Sequence, residues 1–449
     1  MEIKQYYLGC LSHASYMVSD PETRTAVVVD PQRDVDQYVQ DAEKQGLTIK
    51  EVVLTHFHAD FAAGHLELQK RTGAGLSLGA KARPEYAFTP RQEGDDIWLG
   101  KDRLRVLETP GHTPEAISLV AYEGDKPKAV LTGDTLFVGD VGRPDLAVSQ
   151  GHTKEELAGQ LYHSLHDKLL QLPDETIVYP AHGPGSLCGS SGLAGKVSTI
   201  GQERAENPML ASPDEQSFVH TVTADLPELP AYFNHDAHYN QQLHADLSEV
   251  VAAGNQPLSD PGGAAVLDVR SPDDFAAGHV PGSLNVGIDG RFAQWAATLS
   301  DTHKPLVLVT PPGREQEALT RLGRVGLENV VGYLSGDEHL TQSGARVQPQ
   351  ELAAQLAGPQ PPHVLDVRTP QEYQQAHIQG SQHIPLNQLP RRLAEIPGEV
   401  VVHCQSGYRS SIAASLLRQQ GVVCTDMVGG IAAWQAQGLP VESGGKIIP

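Results

Sequence analysis

The C-terminal half of the chain states one pattern twice. Val266-Leu267-Asp268-Val269-Arg270-Ser271-Pro272 returns as Val364-Leu365-Asp366-Val367-Arg368-Thr369-Pro370, and Gly278-His279-Val280-Pro281-Gly282-Ser283 returns at the same spacing as Ala376-His377-Ile378-Gln379-Gly380-Ser381. Two separated blocks repeating together at a spacing of about a hundred residues mean two homologous units in tandem, each of ordinary domain size. Pro257 to Gly263 and Ala357 to Pro362, rich in Pro and Gly, read as linkers ahead of the two copies. A further stretch of about 240 residues lies upstream, enough for one larger domain. The spacing therefore predicts three domains, over 1–245, 246–345 and 346–449.

In the upstream stretch, Ala26 to Asp30, Glu51 to His56, Leu104 to Glu108, Lys128 to Asp134 and Thr176 to Pro180 are short, β-branched apolar runs that end in polar residues or Gly/Pro. Such runs predict buried strands. Helical patterns over Ala62 to Arg71 and Lys154 to Leu172 lie between some of them, so the class is α+β.

Hydrophobic residues are 39% and charged residues 20% of the chain, proportions of an ordinary globular protein. No run approaches the ~20 apolar residues of a membrane span, and MEIKQYYLGC lacks the basic start and apolar core of a signal peptide, so a cytoplasmic protein is expected. A net charge of -22 gives nucleic acids and anionic membranes no electrostatic hold. Cys10, Cys188, Cys404 and Cys424 show no CxxC spacing, so a functional cysteine acts singly, as a thiolate.

The strand ends carry the chemistry. His56, His58 and Asp60 follow one strand, His112 follows Pro110-Gly111 after another, Asp134 closes a third in Thr132-Gly133-Asp134, and His182 follows a fourth. One histidine at a strand end means little, but four strands each delivering an imidazole or carboxylate point to a metal site. These residues resemble the metallo-β-lactamase superfamily, an αββα sandwich whose pattern is HxHxDH, a GHT-type histidine, a GD aspartate and a late histidine. The chain departs at one position, where Phe61 stands for the last histidine of HxHxDH. A phenyl ring removes a donor from the second metal position, which favours a single metal.

The resemblance to the persulfide dioxygenases of that superfamily implies one Fe(II) per chain, held by His56, His112 and Asp134. Two histidines and a carboxylate on one face leave positions open for a substrate sulfur and O2. His58, Asp60 and His182 then become supporting residues or alternative ligands. Gly139 to Asp145 resembles the GxxGRxD stretch of the same enzymes, and implies Arg143 as a fork for a substrate carboxylate, against the alternative of an ion pair with Asp145. Cys188, six positions after His182, is a candidate for the mouth of the site.

In the second copy, the run Val400-Val401-Val402-His403 feeds Cys404-Gln405-Ser406-Gly407-Tyr408-Arg409, and Ser410 to Gln420 reads as a helix. A thiol at a strand–loop–helix junction meets backbone N–H groups and a helix N-terminus that stabilise a thiolate or persulfide, and Arg409 adds positive charge. With Asp366-Val367-Arg368 upstream and Gly429-Gly430-Ile431-Ala432-Ala433-Trp434 downstream, the segment resembles the α/β rhodanese family, which implies sulfur transfer by Cys404 with Arg409. The first copy has Thr310-Pro311-Pro312-Gly313 in the place of the cysteine loop. A hydroxyl is no substitute for a thiolate, and two prolines remove N–H donors, so this copy is expected to be inactive, a spacer or docking surface.

The combined resemblance implies oxidation of a small-molecule persulfide, such as glutathione persulfide, by O2 to sulfite, with Cys404 passing sulfane sulfur to or from thiosulfate. Two other readings are a dinuclear zinc thioester hydrolase of the glyoxalase II type joined to a sulfurtransferase, and a non-catalytic sulfur carrier or sensor. A homo-oligomer, dimer or tetramer, is expected.

Overall fold

The computed structural model describes residues 1–189, 195–224, 226–443 and 446–448. It divides into two compact units, Met1–Glu249 together with Gly323–Gly326, and Val250–Leu322 together with Leu327–Pro449. The two copies of the repeat thus share one unit.

The first unit is built on two six-stranded sheets. One runs in chain order through Glu2–Leu8, His13–Asp20, Thr25–Val29, Thr48–Val53, Gly75–Gly79 and Thr89–Arg91; the other is ordered Ser198–Thr199, Ile177–Pro180, Lys126–Gly133, Ile117–Glu123, Asp102–Glu108 and Asp96–Leu99. Alternation along the strands sorts their side chains into two cores. Ile117, Leu119 and Ala121 meet Val18, Val27 and Val53 of the facing sheet. Val120 and Val130, pointing the other way, pack under Leu161 and Leu165 of the helical segments and Phe218 of Glu215–Ala224. Helices Asp36–Gln45 and His65–Thr72 lie against the first sheet, which completes the α+β sandwich.

Two expected helices end differently. The segment from Ala62 becomes helical only at His65–Thr72, because residues 57–64 form the loop that carries His58 and Asp60. The expected helix over Lys154 to Leu172 is α-helical only across Lys154–His163 and continues as a π-helical turn, Ser164–Lys168, and a 3₁₀ turn, Leu169–Gln171. At the join the Ser164 hydroxyl donates to the Pro110 carbonyl at 2.7 Å, tying the irregular turn to the loop ahead of His112.

The second unit contains two parallel five-stranded sheets, ordered Pro257–Leu258, Val330–Leu334, Leu306–Val309, Ala265–Asp268, Leu284–Asn285, and Arg346–Val347, Val423–Met427, Glu399–His403, Val364–Asp366, Gln382–His383. The repeat is visible in their register: Leu267 pairs with Leu308 as Leu365 pairs with Val402. It also explains the Asp-Val-Arg motif. Arg368 grips Asp366 and donates to the Ala376 carbonyl at 2.5 Å, while Arg270 grips Asp268 and donates to the Gly278 carbonyl at 2.7 Å. Each arginine therefore locks its strand to the end of the following helix. Among the described residues no helix is long and apolar enough to cross a membrane.

Candidate metal centre and sulfur-transfer loop

The ends of separate strands and the loops that follow them bring His56, His112 and Asp134 together, their ligand atoms within 4.8 Å of one another. Asp134 Oδ2 lies 3.7 Å from His56 Nε2 and 3.3 Å from His112 Nε2. All three atoms are buried and have no hydrogen-bond partner among the described residues. Three orphaned donors pointing at one another cost several kcal/mol in a dry interior unless an ion joins them, typically ~1–3 kcal/mol each. The donor set fits a divalent metal: two imidazoles held neutral and one carboxylate. Burial, with neighbouring imidazoles added, pushes the His56 imidazole well below its ordinary value, and burial lowers that of His112.

The opposite edge of each ligand is fixed. His56 Nδ1 stands 3.0 Å from the Thr55 hydroxyl, which donates to Asp30 at 2.8 Å. His112 Nδ1 lies 2.9 Å from the Arg143 carbonyl, which accepts its proton and so leaves Nε2 as the free donor atom. Asp134 Oδ1 accepts from His182 Nδ1 at 2.8 Å, and His182 Nε2 meets Asp60 Oδ2 at 2.8 Å. Burial opposes charge on both members, yet the neighbouring carboxylates hold the His182 imidazole well above its ordinary value, and His182 in turn holds Asp134 well below. His58 Nε2 stands 3.1 Å from Asp30 Oδ1. Phe61, 1% exposed, covers the position of the missing histidine and lies 3.9 Å from the ring of His13.

Arg143 forms the ion pair with Asp145 that the sequence offers beside the substrate fork. Its side chain is 1% exposed, and its guanidinium is engaged by Asp145 at 2.7 and 2.9 Å and by the carbonyls of Leu187 and Pro227. It braces the loop whose backbone orients His112. Cys188 is buried and groups with Asp60 and His182 within 4.8 Å. Burial, then the charges of Asp60 and Asp134, push its thiol well up, away from a reactive thiolate.

Several residues of this site carry no motif and were not anticipated. Asn240 donates from Nδ2 to the carbonyls of His58 and Phe61, both at 2.8 Å, and accepts from the Ala63 N–H, clamping the ligand loop from far along the chain. His13 is fully buried with neither ring nitrogen paired among the described residues, and burial pushes its imidazole well below the ordinary value. The pairing of Asp30 with Thr55 is equally silent in sequence, because single polar residues at strand ends are common.

In the second unit, Cys404 closes the strand Glu399–His403 and the helix Tyr408–Gln419 follows. Gly407, with φ of +98°, turns its N–H onto Cys404 Sγ at 3.2 Å, and the Ser410 hydroxyl lies 3.6 Å from the same sulfur. The Gly429-Gly430 pair has a steric reason: a Cβ on Gly430 would fall 2.4 Å from the Cys404 carbonyl oxygen. Without one, Ile431 N–H reaches that oxygen at 2.8 Å. Arg409 forms a two-pronged pair with Glu372 at 2.7 and 2.6 Å. Glu372 also closes a capping box with Thr369 at the start of the helix Pro370–Gln375, so one carboxylate serves both the helix cap and Arg409. In the first copy, Glu315 stands where Arg409 stands, and its carboxylate accepts from the Gly313 N–H at 3.1 Å and the Thr310 hydroxyl at 3.2 Å. That loop fills its own cradle with a negative charge, as an inactive copy would.

The metallo-beta-lactamase superfamily model matches residues 8–182, and the rhodanese-like domain model matches residues 252–337 and 348–437. The chain is 32% identical to the mouse mitochondrial persulfide dioxygenase ETHE1 over 215 residues, 48% of this chain and 78% of that protein. It is also 28% identical to the hydroxyacylglutathione hydrolase GloC of Haemophilus influenzae, over 42% of this chain and 90% of that one. Among solved structures, a metallo-beta-lactamase from Staphylococcus aureus superposes with a TM-score of 0.66 at 30% identity, covering 74% of this chain and 98% of that one.

Proposed function

Since this chain belongs to the metallo-beta-lactamase superfamily, with persulfide dioxygenases among its relatives and two rhodanese-like domains in tandem, we propose that it oxidises a small-molecule persulfide with O2 and transfers sulfane sulfur. The observation that carries this reading is the trio of orphaned donors on His56, His112 and Asp134, with buried Phe61 standing where the superfamily's pattern has a histidine. Those three residues would hold one Fe(II), which when bound supplies a site for O2 and the substrate's terminal sulfur. The chain's own groups do the rest. Thr55 and the Arg143 carbonyl keep both imidazoles turned with Nε2 inward, and the His182 proton on Asp134 Oδ1 leaves Oδ2 for the metal. Phe61 packs its ring against those of His13 and His58 beside the ligands.

At the second centre, Cys404 Sγ attacks the sulfane sulfur of a persulfide or of thiosulfate. The S–S bond of the donor breaks, its electron pair leaves with the thiolate or with sulfite, and Cys404 becomes a persulfide. Sulfite then attacks the outer sulfur, releasing thiosulfate and restoring the thiolate. The Gly407 N–H stabilises the sulfur in both states, the Ser410 hydroxyl accepts from the neutral thiol, and Arg409, anchored by Glu372, draws the anionic donor. We place the protein in the cytoplasm, working on soluble persulfides as a homo-oligomer.

The similarity to a hydroxyacylglutathione hydrolase, and the retained Asp60–His182 pair, favour one competing reading: a dinuclear thioester hydrolase. Metal analysis of protein purified without oxygen decides between them. One iron per chain with no hydrolysis of a glutathione thioester supports the oxygenase; two zincs per chain with such hydrolysis would replace it.

A further inference from the structure

The first copy of the repeat contacts the helix that follows Cys404. The first turn of the helix Tyr408–Gln419 holds Cys404 Sγ on one side and leans on the inactive copy on the other. The Tyr408 hydroxyl donates to the Gly287 carbonyl at 2.8 Å. Ser411 donates to Asn285 Oδ1 at 2.5 Å, and one helical turn further the Ser415 hydroxyl accepts from the Asn285 N–H at 3.0 Å. Asn285, Ser411 and Ser415 are all buried.

The repeat separates what serves the fold from what serves this contact. Asn285 corresponds to His383 in the active copy, and both side chains donate to a carbonyl of the Asp-Val-Arg motif, Arg270 for Asn285 and Arg368 for His383. That bond belongs to the fold. Asn285 adds a side-chain acceptor turned toward Ser411. Gly287 and Gly290 correspond to Pro385 and Gln388. A Cβ on Gly290 would fall 2.3 Å from the Tyr408 ring, so the ring fits because that position lacks a side chain, and Gly287 receives the Tyr408 hydroxyl through its carbonyl. At two positions, Asn285 and Gly290, the first copy thus departs from the second in the direction that receives Ser411 and Tyr408.

We propose that Asn285, Gly287 and Gly290 are positioning residues for sulfur transfer, seating the first turn of the helix that follows Cys404 so that the Gly407 N–H and the Ser410 hydroxyl stay on the sulfur. The inference deepens the sulfur-transfer reading and rests on it. In the full-length protein, Asn285→Ala, Ser411→Ala, their double variant and Gly290→Ala are compared by two readouts: thiosulfate sulfurtransfer kinetics, and the rate at which iodoacetamide alkylates Cys404 at pH 7, followed by peptide mass spectrometry. Asn285→Ala and Ser411→Ala each lower kcat about fivefold, the effect of one lost hydrogen bond, with KM for thiosulfate nearly unchanged, and slow alkylation similarly; Gly290→Ala, whose methyl group displaces the Tyr408 ring, lowers both in the same direction. The double variant falls no further than either single one, as a shared contact requires. Unchanged kcat and alkylation, or additive losses, would overturn the proposal. Gly290→Ala and Ser411→Ala carry the test if Asn285→Ala does not fold. Alkylation is measured whether or not the protein transfers sulfur: a wild-type protein without transfer, but with slowed alkylation in the variants, would refute the sulfurtransferase reading and leave the positioning contact standing.

Discussion

Phe61 stands where the superfamily's pattern has a histidine, and the single-metal proposal rests on it. Asp60, Asp134 and His182 are all in place around it, so Phe61→His restores the one donor that is missing. This variant is expected to bind close to two zinc ions per chain where the parent binds one, as measured by elemental analysis after dialysis against zinc. At the other edge of the site, Thr55→Val removes the oxygen beside His56 Nδ1 while keeping the shape; competition with a chelator should show metal affinity lower by roughly 10-fold. In the sulfur-transfer loop, burial raises the Glu372 carboxyl but the bonds from Arg409 and Thr369 outweigh it and push it down to about 2. A depressed carboxylate contributes stability above its unfolded value of about 4.5 and loses it as pH falls toward 2. Glu372→Gln should therefore lower the melting temperature at pH 7 and leave it unchanged near pH 2. The metal-facing residues were legible because each ends an apolar strand in a polar motif. For Arg143 the sequence offers both a substrate fork and an ion pair with Asp145, and the structure contains that pair.

Strands were the most legible elements, since β-branched runs bounded by Gly and Pro have few other structures to adopt. The break after His163 was not legible, because its cause is tertiary: the helix Lys154–His163 presses Leu161 against Gly111, where a Cβ would come within 2.4 Å, and Ser164 ties to Pro110. A helix that must hold the loop before His112 gives up regular hydrogen bonding to do so. The strand Val423–Met427 carries a further consequence. Burial pushes the Asp426 carboxyl up to about 6, although Ser410 and two arginines partly offset it. A carboxyl that holds its proton more tightly when folded makes the folded state lose stability as pH rises from about 4 to about 6. Asp426→Asn should stabilise the protein by roughly 1–3 kcal/mol at pH 8 and have little effect at pH 4, read from denaturant titrations at the two values.

On the scale of the molecule, the repeat announced two homologous copies but not that they share one compact unit, because their contact rests on Asn285, Ser411 and Tyr408, which form no motif. The metal centre lies wholly in the other unit. Chelation should therefore lower the melting transition of the first unit, as loss of any ligand that binds only the folded state does, and leave thiosulfate sulfurtransfer intact. The central claim concerns what the bound metal does, and O2 uptake reads that directly. Iron-loaded protein, prepared without oxygen, is given glutathione persulfide in an oxygen-electrode cell beside its His112→Ala variant. Rapid uptake with sulfite or thiosulfate as product, abolished in the variant, is the predicted result; no uptake by fully iron-loaded parent protein would contradict the account.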